Sequence, residues 1–230
     1  MARQRRTRST DALSQKTVVF DFGGVISAAH DPVPAIHAET GGDLEEVRAA
    51  FWGERLAYDT GDLTLEEYWG RVCAAAGVED PSADELAHLQ DVDNRYWLEI
   101  HPESRSLIHD LARNGVRLVL LSNASVAFGE AVRRAEWFEA FSFAIISGEE
   151  GVVKPDLRIF EVLLETLSHE TGGVERPGST IFFDDVEENV EAARRLGIDA
   201  HRWPRNGNGA ADNGWEIARA HLAGRGIPLD

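Results

Sequence analysis

Four short apolar runs, each closing on polar residues, constrain this chain more than any other feature. Thr-Val-Val-Phe at 17–20 runs into Asp21 and then Gly23-Gly24. Residues 116–121 follow the turn Asn114-Gly115 and end at Ser122-Asn123. Residues 141–146 end at Ser147-Gly148, and residues 180–183 end at Asp184-Asp185. Short β-branched and aromatic runs bounded by turn residues read as buried strands. A fifth strand is read at 198–202. Helical periodicity fills the intervals. Leu157, Phe160, Leu164 and Leu167 share one face of a helix that starts after Lys154-Pro155, and Ser125 is placed to cap another. Val186, Val190 and Ala193 mark a further helix with Gly197 as its C-cap. Alternating strand and helix predicts an α/β fold: a Rossmann-like, doubly wound parallel sheet covered on both faces. Such sheets bind ligands outside the carboxyl ends of their strands. The polar residues named above all sit there.

One interval is too long for a crossover. Residues 27–100 are rich in helix formers, with candidate helices at 34–40, 43–53, 64–76 and 83–97. Asp43 with Glu46, and Thr64 with Glu67, have the spacing of capping boxes. Trp52, Tyr58, Trp69, Tyr96 and Trp97 supply aromatic bulk, expected mainly as the insert's own core. A folded chain of 230 residues buries about 70% of its surface, which suits one domain with an insert. The expected layout is a disordered basic tail at 1–16, an α/β core at 17–26 and 101–230, and a helical cap insert at 27–100. Residues 205–214 read as a surface loop before a last helix from about Trp215.

Charge narrows the partners. Forty acidic residues face 23 basic ones, a net charge of -17, so nucleic acid and anionic membranes are repelled. The single cysteine, Cys73, excludes an internal disulfide and a cysteine-rich zinc site. That fits a reducing compartment, and a cytoplasmic protein is expected. No run approaches the length of a membrane span. The first ten residues carry four arginines and no acid, without the apolar stretch of a secretory signal. The composition leaves the oligomeric state open.

The strand-end residues each allow a chemical and a plain structural reading. Asp21 could be a nucleophile, a metal ligand or a turn residue. The Ser122 hydroxyl and the Asn123 N–H could hold a phosphate oxygen, or merely mark a polar strand exit. Lys154 beside a helix N-terminus suits an anion, although most lysines are simply solvated. Adjacent Asp184 and Asp185 repel unless a hard cation such as Mg²⁺ offsets them. Asp185 with Glu188 also has capping-box spacing. Together the clusters supply a nucleophile, an oxygen donor, a cation and a metal-binding acid pair. The eight histidines form no zinc-protease pattern. Gly23-Gly24 lacks the third glycine of the dinucleotide fingerprint.

VVFDFGGVI, LVLLSNAS, GVVKPD and IFFDDVEENV resemble, in order, the four motifs of the haloacid dehalogenase superfamily, whose members are mostly phosphatases. The insert after Gly24 is similar to the helical cap of the subgroup whose cap follows the first strand. The D-x-G-x-V form resembles sugar-1-phosphate phosphatases. This resemblance implies that Asp21 attacks phosphorus and forms an aspartyl-phosphate that water hydrolyses. It implies that Phe22, Gly23, Ser122, Asn123 and Lys154 surround the substrate, with Ser122 and Lys154 on the phosphoryl oxygens and Lys154 steadying Asp21. It implies Mg²⁺ held by Asp21, the Gly23 carbonyl and Asp185, with Asp184 in support. The chain departs from the family pattern in one place. Those phosphatases usually carry a second aspartate two residues after the nucleophile, and here that position is Gly23. A general acid is worth about 10²–10⁴-fold in rate. His30 and Asp31 are candidate replacements. The leading expectation is a Mg²⁺-dependent phosphatase of a small phosphorylated metabolite. The alternatives are a 2-haloacid dehalogenase, whose halide needs no proton, and a catalytically silent member that binds a phosphorylated ligand or a protein.

Overall fold

The structure is a computed structural model that describes residues 16–28, 31–173, 176–204, 214–227 and 229. Residues 1–15 of the expected basic tail, His30 and most of the expected 205–214 loop lie outside the described residues. The chain runs β1 (Thr17–Phe20), α1 (Val33–Thr40), α2 (Leu44–Gly53), α3 (Arg55–Thr60), α4 (Leu65–Ala75), α5 (Ala83–Trp97), α6 (Pro102–Arg113), β2 (Arg117–Ser122) and α7 (Val126–Val132). It continues with β3 (Phe143–Ile146), α8 (Ser147–Glu150), α9 (Leu157–Thr171), β4 (Thr180–Asp184), α10 (Glu187–Arg195), β5 (Asp199–Arg202) and α11 (Gly214–Gly224).

The five strands form one sheet in the order β3-β2-β1-β4-β5, and every pairing is parallel. Successive side chains alternate between its faces. Val18, Phe20, Leu118, Leu120, Ile181 and Phe183 join a core completed by α6, α7 and α11. Val19, Val119, Leu121 and Phe182 point the other way, onto Ile159, Phe160 and Leu163 of α9 and Val190 of α10. Each such fully buried side chain contributes roughly 1.5–3 kcal/mol. Both faces are therefore covered, as the near-continuous apolar strands require. The chain winds one way from β1 to β2 and the other way to β4. That reversal opens a crevice at the carboxyl end of β1.

Helices α1–α5 enclose a third hydrophobic cluster, built on Val33, Ile36, Phe51, Tyr68, Trp69 and Leu89. Tyr58 stacks on Tyr68 at 4.2 Å, and the Gln90 carbonyl accepts from the Tyr58 hydroxyl and, at 2.8 Å, from Trp69 Nε1. The chain leaves and re-enters the sheet side by side. Ser27 bridges Ile100, Ala28 N donates to Glu99 O at 2.9 Å, and His101 N donates to Ile26 O at 3.0 Å. A second tie holds α3 against α8. Ser147 Oγ donates to the Asp59 carbonyl, and a Cβ on Gly61 would come within 2.7 Å of Gly148 O. Gly61 also sits at φ 84°, a conformation glycine adopts without strain.

Several expectations are corrected. Helix α3 occupies 55–60, where no helix was expected, and α6 covers a stretch that carried no assignment. Strand β3 starts at Phe143 rather than 141, because Glu136–Ala140 forms a 3₁₀ turn and Phe141 stacks on Phe138. Thr64 with Glu67 is a reciprocal capping box, and Asp43 caps α2 by accepting from Glu45 N and Glu46 N. Asp185 with Glu188 is not a box. The first residue before α10 is Val186, and its N–H is taken by Asp184 Oδ1 at 2.8 Å. Among the described residues no helix is long and apolar enough to cross a membrane.

Candidate active site

Asp21 sits one residue past β1, yet its N–H still donates to Phe183 O of β4 at 2.9 Å. The ladder thus continues one step and fixes the carboxylate at the crevice. The chain then turns sharply, with the N–H groups of Val25, Ile26 and Ser27 all converging on Phe22 O. Gly24 takes φ 72° inside that turn. The Phe22 ring anchors it below, stacked on Trp137 at 5.5 Å.

Lys154 reaches this carboxylate from the loop between α8 and α9. Its ammonium donates to Asp21 Oδ1 at 2.6 Å, to Asp184 Oδ2 at 2.7 Å and to Leu121 O at 2.9 Å. Its side chain is only 1% exposed. Burial opposes the ammonium's charge, but Asp184 and Asp21 outweigh it and hold Lys154 above its ordinary value. All three N–H bonds are spent inside the protein. The ammonium thereby ties Asp21 to Asp184. Asn123 in turn holds the Lys154 backbone. Its side-chain oxygen accepts from Lys154 N at 2.8 Å and its amide donates to Lys154 O at 2.9 Å.

Asp184 is fully accounted for as well. Oδ1 accepts from Val186 N and Asn189 Nδ2, and Oδ2 accepts from Asn189 Nδ2 and Lys154. Asp21, Asp184 and Asp185, all buried, offer ligand atoms within 4.8 Å of one another. Three carboxylates around one ammonium leave an excess of negative charge in a low-dielectric place. Burial accordingly pushes Asp21 up to about 6 against the pull of Lys154, with Asp184 adding to the rise. An all-oxygen donor set of this charge fits a hard divalent cation such as Mg²⁺. Since Asp184 is occupied by Lys154 and Asn189, the carboxylates of the trio that fit the ion best are Asp21 and Asp185.

A cavity of about 150 Å³ lies at this crevice. Phe22, Gly23, Ser122, Asn123, Ala124 and Phe128 form its sheet side. Trp52, Arg55, Asp59 and Trp97 close it from the helical insert. Ser122, 4% exposed, thus sits where expected. The insert's aromatics divide: Tyr58 and Trp69 belong to its core, whereas Trp52 and Trp97 face the cavity. Arg55 and Asp59 were not singled out in the sequence. Their i,i+4 spacing was a signal, but it falls in the unassigned helix α3. Arg55 Nε holds both oxygens of Asp59 at 3.0 and 3.1 Å, and Nη1 holds Asp93 at 3.1 Å. Asp31 is corrected as a replacement acid. It pairs with Arg48 at 2.6 Å, accepts from Val33 N, and is absent from the cavity wall.

A second cluster, Asp199, His201 and His221, also brings ligand atoms within 4.8 Å. There Arg225 already holds both carboxylate oxygens of Asp199, so its charge is matched.

The profile of the haloacid dehalogenase-like hydrolases matches residues 15–197. A Mycobacterium tuberculosis protein named as a phosphatase is 27% identical over 207 residues, covering 85% of this chain and 90% of its own. An enzyme of the same family from Bacteroides thetaiotaomicron, solved with magnesium and inorganic phosphate, superposes with a TM-score of 0.65 at 22% identity, over 84% of this chain and 95% of the other. The L-2-haloacid dehalogenase of Xanthobacter autotrophicus, solved with chloropropionic acid covalently bound, gives 0.64 at 19% identity, over 93% and 84%.

Proposed function

The chain belongs to the haloacid dehalogenase-like hydrolase family, and from that premise we propose that it is a Mg²⁺-dependent phosphatase of a small phosphorylated metabolite. The observation that carries this reading is the buried trio Asp21, Asp184 and Asp185 around Lys154. A phosphate dianion needs positive charge at the site, and the trio recruits a divalent cation to supply it. The mycobacterial relative's name as a phosphatase supports the same class.

In this mechanism the Asp21 carboxylate attacks phosphorus and forms an aspartyl-phosphate, which water then hydrolyses. Lys154 holds Asp21 at one oxygen and leaves the other to attack. Ser122 and the backbone N–H groups after β1 and β2 hold the phosphoryl oxygens. Asp21, the Gly23 carbonyl and Asp185 would hold Mg²⁺, with Asp184 fixing Lys154. When bound, the ion neutralises charge on the phosphoryl group. The protein's contribution is in-line positioning and a dry, charged crevice. Residues 27–100 act as the cap, and their wall of the cavity sets which ester enters.

A second reading, a 2-haloacid dehalogenase, is favoured by Gly23, since a halide leaves without a proton. Arg55 on the wall resembles a carboxylate binder, but Asp59 and Asp93 already match its charge. The test is hydrolysis of p-nitrophenyl phosphate by purified protein with Mg²⁺ and with EDTA, beside Asp21→Asn. Release of phosphate that both EDTA and Asp21→Asn abolish supports the phosphatase. Halide release from 2-chloropropionate, indifferent to EDTA, supports the dehalogenase. Ligand binding without turnover in a broad phosphomonoester screen marks a silent member.

A further inference from the structure

Expelling an alkoxide requires a proton, and Gly23 has no side chain to give one. We propose that Asp59, carried by the helical insert, is the general acid and base of this site. The inference rests on the phosphatase reading above and adds a catalytic residue to it.

Three observations converge on Asp59. It is the one acidic residue among those lining the cavity, which it shares with Gly23 and Ser122. It comes from the insert's part of the wall, not from the sheet that carries Asp21. In an in-line displacement the leaving oxygen departs opposite the nucleophile, and the hydrolytic water later enters by the same position. One group on that wall can serve both steps. The position of Asp59 is also fixed: its backbone carbonyl accepts from Ser147, and Arg55 Nε holds its carboxylate.

The surrounding charges suit a carboxyl that carries a proton. Arg55 is the cation facing Asp59, and Asp93 on α5 shares it. Two buried carboxylates on one guanidinium leave one negative charge in excess. Asp93 is fully buried behind the wall, accepts from Arg55 and, at 3.0 Å, from Trp97 Nε1, and does not itself line the cavity. A proton on either carboxyl relieves that excess, and of the two Asp59 lines the cavity. Burial pushes Asp59 up to about 6, with Arg55 pulling the other way.

The steps balance. Asp21 forms a bond to phosphorus, the P–O ester bond breaks, and the Asp59 proton goes to the departing alkoxide. Water then attacks phosphorus, its proton returns to Asp59, and the bond to Asp21 breaks to release inorganic phosphate.

The test compares two phosphomonoesters with Mg²⁺ present. Benzyl phosphate has a poor leaving group that needs a proton, and p-nitrophenyl phosphate has a good one that needs little help. Asp59→Asn is expected to lower kcat for benzyl phosphate by about 10²-fold or more beyond its effect on p-nitrophenyl phosphate. Gly23→Asp in that background is expected to restore the benzyl ester. A Cβ at Gly23 meets nothing within 4 Å, so a side chain can start there without a clash. Equal losses on both esters, or no loss on either, overturn the inference and leave the phosphatase reading standing. Failure of the unmodified protein to hydrolyse either ester overturns the phosphatase reading itself.

Discussion

Removing the Lys154 ammonium probes the charge cluster most severely. Lys154→Met keeps the stem but deletes three hydrogen bonds, to Asp21, Asp184 and Leu121 O. Two buried carboxylates are left facing each other. Breaking a buried ion pair by removing one partner costs roughly 3–5 kcal/mol. The cost depends on pH, and its sign follows from the partners. Lys154 lowers the Asp21 pKa, so its loss carries Asp21 beyond about 6, further above its ordinary 3.8. A carboxyl raised in the folded state binds a proton more tightly there than when unfolded. Stability is then kept below the unfolded value and lost as pH rises through the folded one. Urea unfolding in EDTA at about pH 5 and about pH 8, with the m-value unchanged, reads this directly. The variant should lose more at the higher pH. A loss under about 1 kcal/mol, typical of a surface pair, or a larger loss at the lower pH refutes the reasoning.

Mg²⁺ should raise the Tm of the unmodified protein, by the equivalent of about 2.7 kcal/mol at a hundred times its Kd. Asp185→Asn should remove most of that rise in the same thermal-shift assay. Asn123→Ala deletes both bonds that hold the Lys154 backbone, and should cost about 1–3 kcal/mol in urea unfolding and reduce kcat more than it raises KM. Trp52 and Trp69 should separate, since Trp52 is 42% exposed at the cavity and Trp69 is fully buried. Trp52→Ala should raise KM with little change in Tm, whereas Trp69→Ala should cost about 3–5 kcal/mol.

The sheet was legible because its strands are buried on both faces, so that Val18, Val19, Leu118 and Phe182 form unbroken apolar runs between turn residues. The strand-end site was legible for the same reason: polar residues appear where those runs stop. What the sequence hid is tertiary. Helix α3 is one and a half turns between Gly53 and Gly61, too short to show a period, so Arg55 and Asp59 went unnoticed. Trp52 and Trp69 are alike as letters, and only the packing of α2 on α4 decides which one faces the cavity. The choice between Asp184 and Asp185 as the brace of α10 turned on which carboxylate reaches Val186 N. Lys154 gave no sign that three acceptors would consume its donors.

The central claim is that Asp21 carries the phosphoryl group between ester and water. Acid-quenching the enzyme during turnover of p-nitrophenyl phosphate with Mg²⁺, then mapping its peptides by mass, tests that claim without an intermediary. The account predicts one added phosphoryl group on the peptide containing Asp21, absent in EDTA and in Asp21→Asn. Phosphate release with that peptide unmodified at every quench time, or persisting in Asp21→Asn, would contradict it.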